Sequence, residues 1–195
     1  MIRRIPVLWL GAVVTLAAAS RSPARAEEAD RLQRLERGDV IVETRPVAGS
    51  ELPEVTVTAV VEATPEAVWQ IIDHCGDYQR TLLRIKSSRE LSREGETVRC
   101  ELLVDTPWPL PKLHSVTVAQ HVVTPQRRTR TWKLESGDYK DNAGSWTLTP
   151  WGSGRTLLEY RLHSEPLISM PASLQAMAMK SAMPDLIQRI RADVK

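Results

Sequence analysis

The feature that most constrains this chain is a long series of strand-like segments closed by one amphipathic helix. Ile85–Leu91 runs into the turn-like Arg93-Glu94-Gly95. Thr97–Thr106 alternates, with Val98, Cys100, Leu102 and Val104 on one face and Arg99, Glu101, Leu103 and Asp105 on the other. His114–Val123 is Val-rich, and Arg128–Glu135 sets Trp132 and Leu134 against Thr131 and Lys133. Trp146 and Leu148 mark a short strand ended by Pro150, and Thr156–His163 places Leu158, Tyr160 and Leu162 on one face. Thr124-Pro125, Asp141-Asn142-Ala143-Gly144 and Gly152-Ser153-Gly154 read as the turns between them. Consecutive strands on short turns form an antiparallel meander. From Pro171 to Val194, Met179, Met183, Leu186, Ile187, Ile190 and Val194 recur at helical spacing, with Pro184 expected to kink or restart the helix near Ala182–Met183. A sheet with one apolar face and a lone amphipathic helix must bury against each other. The expected class is α+β, a curved antiparallel sheet wrapped around a long C-terminal helix.

The N-terminal part adds an address and a hairpin. MIRR is basic, Ile5–Ala19 is apolar but short for a membrane span, and Ala24-Arg25-Ala26 has the A-x-A pattern of a cleavage site. Residues 1–26 therefore read as a secretory signal peptide, which implies a secreted or periplasmic protein. Residues 27–38 read as a short charged helix or linker ending at Gly38, and residues 39–195 as one domain. Val40–Val47 and the Val- and Thr-rich Val55–Val61 form a hairpin around Gly49-Ser50. Removing the four arginines of residues 1–26 turns 26 basic against 24 acidic residues into 22 against 24, a net charge of −2. A net-negative chain whose longest basic run is Arg127-Arg128 argues against a nucleic-acid partner.

The stretch ATPEAVWQIIDHCGDYQR, Ala63–Arg80, gathers His, Cys, Asp and Tyr. Thr64 suits an N-cap and Pro65 the first helical position, and Val68, Ile71, Ile72 and Cys75 share a helical face that Gly76 ends. Cys75 then lies at the C-terminal end of its helix, where the dipole disfavours a thiolate, and the adjacent His74 points about 100° away. A Cys–His nucleophile is thus a poor reading. Cys75 and Cys100 are the only cysteines, and two readings stay open: a disulfide, favoured by export, or buried thiols. A disulfide would be worth roughly 3.5 kcal/mol on the chain-entropy model. The histidines have no metal-ligand spacing, and no cofactor is expected.

The chain resembles a known family at VTAVVEATPEAVWQIIDHCGDY, followed by Leu83–Ser88. Thr64, Pro65, Glu66, Val68 and Trp69 match the strand, helix-start and Asp/Tyr-loop pattern of the START-like (SRPBCC) superfamily, and Pro171–Ile190 resembles its long closing helix. The nearest groups are the polyketide cyclase/dehydrase and lipid-transport proteins and the coenzyme-Q-binding START-like proteins. The resemblance implies a helix-grip fold, as in the birch pollen allergen, with a cavity between sheet and helix for an apolar or amphipathic molecule. It does not imply catalysis.

On that basis Tyr78 and Leu82, in the turn after the first domain helix, are expected to meet the ligand. Trp132, Trp146 and Tyr160 on the strands and Met179 and Met183 on the closing helix are expected beside them. Trp108 lies in Thr106-Pro107-Trp108-Pro109-Leu110-Pro111, a stiff loop suited to a cavity mouth or to transient membrane contact. The turn Gly76–Leu83 and this loop are the expected gate. The expected function is an exported protein that binds a hydrophobic small molecule: a lipid, a quinone or a polyketide-like compound. The alternatives are a cyclase or dehydratase, for which Arg80, Tyr78, Tyr160 and His114 are the polar candidates, or a non-catalytic protein-interaction module.

Overall fold

The computed structural model describes residues 23–106, 108–168 and 170–194. Residues 1–22 of the expected signal peptide lie outside the described residues, while Pro23–Glu36 form helix α1.

Thr64, extended at φ −67° and ψ 154°, accepts a hydrogen bond from the Ala67 amide, and Pro65 opens α2 (Pro65–Asp73). The expected continuation of this helix to Cys75 does not occur. His74 leaves the helical region at φ −93° and ψ 83°, and a 3₁₀ turn, Cys75–Asp77, follows. The break turns Cys75 down towards the sheet, where it is disulfide-bonded to Cys100 with the Cα atoms 6.2 Å apart. The short α3 (Tyr78–Thr81) then crosses to the sheet edge.

The strands are β1 (Ile41–Arg45), β2 (Glu54–Val61), β3 (Ile85–Glu94), β4 (Thr97–Val104), β5 (Leu113–Val123), β6 (Arg128–Gly137), β7 (Tyr139–Trp151) and β8 (Arg155–Pro166). They form one antiparallel sheet in the order β1-β2-β8-β7-β6-β5-β4-β3. Six of them are the expected meander. The N-terminal hairpin joins it through β2, which pairs with β8 from Val55↔Leu162 to Val61↔Thr156. β7 is longer than its sequence suggests: Asp141–Gly144, expected as a turn, is strand paired with Glu165–Leu162, and Pro150 lies within it. The β6–β7 ladder runs only from Arg128↔Leu148 to Trp132↔Gly144. Beyond it β6 pairs with β5, and β7 with β8, so the sheet parts between its two halves.

Helix α4 (Ala172–Asp193) lies across the concave face and stays one helix through Pro184. Its buried residues, Met183, Leu186, Ile187 and Ile190, all fall in the C-terminal half. They join Val55, Val57, Val61, Val68, Ile72, Leu148 and Leu158 in the main core. The Arg191 guanidinium donates to the Val60 carbonyl at 2.7 Å and ties this half to β2. On the convex face α1 sets Leu35 against Ile41 and Val60, so β2 is buried on both sides. In the N-terminal half of α4 only Met179, partly buried, packs against that core among the described residues, and the space beneath is open.

Candidate ligand cavity

Under that half of α4 lies a cavity of about 400 Å³. Its floor follows from the strand period, because residues two apart share a face. Leu102 and Val104 of β4, Thr117 of β5, Arg130 and Trp132 of β6, Trp146 of β7, and Tyr160 and Leu162 of β8 all point inward. Tyr78, Leu82 and Ile85 close one side, and Ala178, Met179 and Ala182 form the roof. The mouth is framed by Thr106 and Leu110 on one side and by Ile168, Met170 and Gln175 on the other.

The sequence-based expectations fall in different places. Tyr78, Leu82, Trp132, Trp146, Tyr160 and Met179 are on the wall. Met183 is not. It is 6% exposed and packed in the main core, because the helix turns this position past the cavity towards β2 and α2. Trp108 does not line the cavity either. It is 92% exposed, held out by the loop after β4. The turn after α2 is pinned by the Cys75–Cys100 bond, by the Tyr78 hydroxyl donating to the Ile72 carbonyl at 2.5 Å, and by Ser88 Oγ donating to the Gly76 carbonyl at 2.9 Å. The Trp108 loop, the other half of the expected gate, is closed on itself by Thr106 Oγ1, which donates to the Leu110 carbonyl at 3.2 Å.

Three aromatic rings make the rigid part of the floor. Tyr160 stacks on Trp132 with centroids 5.8 Å apart and lies 4.1 Å from Trp146. Asn142 accepts from the Trp132 indole at 3.2 Å. Gly144 is directly opposite Trp132, and a Cβ there would collide with the indole and with the Arg161 carbonyl. Burial pushes the Tyr78 and Tyr160 phenols up and the Tyr139 phenol to about 12, so all three remain neutral donors.

Arg130 is the wall residue that sequence reasoning missed. Period two sets it on the face of Trp132, opposite Thr129 and Thr131, and it is 3% exposed. It is held by an imidazole. His121, its cross-strand partner, accepts from Arg130 Nη1 at its Nε2, 2.5 Å away, and meets Asp73 Oδ1 through Nδ1 at 3.0 Å. Desolvation, aided by the Arg130 charge, lowers the His121 pKa to about 4, so the ring is neutral, with Nδ1–H donating to Asp73. Asp73 is also paired with Arg93 at 2.9 Å, and Arg93 with Glu90 at 2.8 Å. Arg130 Nη2 reaches Cys100 Sγ at 3.0 Å, and its guanidinium lies 5.8 Å from the Tyr78 ring centroid. The signal that could have found it is its place in an inward-facing row with Trp132.

A scan of family models matches residues 61–191 to the polyketide cyclase / dehydrase and lipid transport family. No curated protein matches the chain. Among solved structures, the STAR-related lipid transfer protein from Xanthomonas axonopodis superposes with a TM-score of 0.72 at 17% identity, over 80% of this chain and 93% of that one. Human StAR-related lipid transfer protein 5 gives 0.72 at 12% identity, over 88% and 95%. The Zhui aromatase/cyclase from a Streptomyces species gives 0.51 at 16% identity, over 72% and 90%. At these identities the likeness is one of fold.

Proposed function

From the premise that this chain belongs to the polyketide cyclase / dehydrase and lipid transport family, we propose that it is an exported carrier of one hydrophobic small molecule. The observation that carries the reading is the cavity of about 400 Å³ between sheet and α4, within the roughly 300–1,000 Å³ of small-molecule sites. Apolar burial drives entry, and the few polar groups fix orientation. Export is supported by the basic and apolar N-terminal segment and by the Cys75–Cys100 disulfide, since such bonds persist in oxidising compartments.

This reading puts entry at the end lined by Leu110, Ile168 and Met170. Beside these residues Trp108, Leu167, Leu174 and Met177 stand exposed, an apolar lip suited to brief contact with a membrane during loading. Acid–base chemistry would need a proton-exchanging pair open to the cavity. Asp105, at the mouth, is the one carboxylate on the wall among the described residues, and His121 has both nitrogens engaged behind Arg130. These features favour carriage over a cyclase or dehydratase.

The test is organic extraction of the purified protein followed by mass spectrometry, with Ala182→Trp as the blocked control. A lipid-soluble compound in about equimolar amount with the wild type and absent from the variant is the expected result. An empty wild type that also fails to bind added apolar probes would overturn the reading.

A further inference from the structure

Arg130 poses a problem that the protein's own groups leave unsolved. A guanidinium carries five N–H donors and a charge that stays on at any working pH. Burying it is costly unless it is paired and hydrogen-bonded. The acceptors it meets among the described residues are the neutral His121 imidazole, the Asp73 backbone carbonyl at 3.4 Å and the Cys100 sulfur, itself a weak acceptor. No carboxylate of the described residues forms an ion pair with it. Asp73, the nearest in the network, is taken up by Arg93 and by the His121 ring. Glu90 and Arg93 pair with each other and are in contact with water. The cavity-facing side of Arg130 therefore presents unmatched positive charge to a mostly apolar chamber.

We propose that the molecule carried is a long-chain carboxylate whose head group pairs with Arg130 while its chain lies along the Trp132–Tyr160–Leu162 floor beneath Met179. This rests on the carrier reading above and names the chemical class of the cargo. A carboxylate accepts two parallel N–H bonds from one guanidinium, and one cation balances it. A phosphate monoester carries close to two charges and would call for a second cation at the same place. The other cation on the wall, Arg84, precedes β3 beside Ile85, away from the Arg130–His121 pair. Thr117, on β5 next to β6, offers a hydroxyl on the same wall.

The test uses the full chain and two probes that differ only in the head: a fluorophore-labelled hexadecanoic acid and its methyl ester. The acid is expected to bind at least about ten-fold more tightly, the scale of a hydrogen bond to a charged group. Arg130→Met is expected to bring the two within about two-fold by weakening the acid alone, and Arg130→Lys to keep part of the preference through its point charge. Equal binding of acid and ester by the wild type overturns the proposal and leaves the carrier reading standing, as does a preference that survives Arg130→Met. Failure of the wild type to bind either probe overturns the proposal, and overturns the carrier reading as well where extraction also finds the protein empty. The wild-type comparison decides the matter even where a variant does not fold.

Discussion

At the scale of single residues, the informative side chains are those that break the pattern of their strand. Gly144 leaves space for the Trp132 indole, and Gly144→Ala would drive a methyl group into the ring and the Arg161 carbonyl. The expected cost is about 1–3 kcal/mol of stability, read by urea unfolding, with a shift in tryptophan emission as the floor is disturbed. His121 gives a pH dependence of definite sign. Its folded pKa, about 4, is below the ordinary imidazole value of 6.5, so between these values the unfolded chain binds more protons. Its contribution is present in full above pH 6.5 and is lost as pH falls towards 4, up to about 3 kcal/mol. Urea unfolding at several pH values across that window should show the decline, and His121→Gln should flatten it. Trp132, Trp146 and Tyr160 could be placed on one face from period-two alternation. The same alternation puts Arg130 on that face but does not explain its burial, because what makes a buried cation tolerable here is His121 on the next strand and Asp73 at the end of α2, and sequence spacing reveals neither neighbour.

Among elements, the turn between α2 and β3 depends on its tether. The Cys75–Cys100 bond closes a loop of sequence separation 25, which corresponds to about 3.5 kcal/mol from restriction of the unfolded chain. Replacing both cysteines by alanine should lower stability by roughly that amount, and reductant should lower the wild type similarly while leaving the double variant unchanged. Looser packing of Tyr78 against Val98 should accompany the loss. The helix start at Thr64-Pro65 was legible because capping is local chemistry. The extent of β7 was not: Asp-Asn-Ala-Gly has turn propensity, and pairing with β8 overrides it. The helical spacing that carried α2 on to Cys75 failed for a like reason, since the bond to β4 decides where that residue goes. In α4 the spacing predicted one apolar face, but only tertiary structure divides it into a half that anchors and a half that roofs. Met183 and Met179 consequently have different surroundings although they are one turn apart.

For the whole molecule, the apolar lip predicts a behaviour separable from stability. Trp108→Ser should weaken binding to lipid vesicles several-fold in a sedimentation assay, yet change unfolding free energy by no more than about 0.5 kcal/mol, since the side chain is 92% exposed. The helix-grip architecture itself followed from the order of strands and helix, because neighbours in sequence are neighbours in the sheet except at one seam. That seam joins β2 to β8. It has a consequence for how the protein comes into being. Val55–Val61, the most buried strand, pairs early with β1 but finds its second partner roughly a hundred residues later, and the helix that covers it is made last of all. A growing chain thus holds its stickiest segment paired on one edge only, by β1, until synthesis is nearly over. Such a chain completes its core only once its tail has arrived.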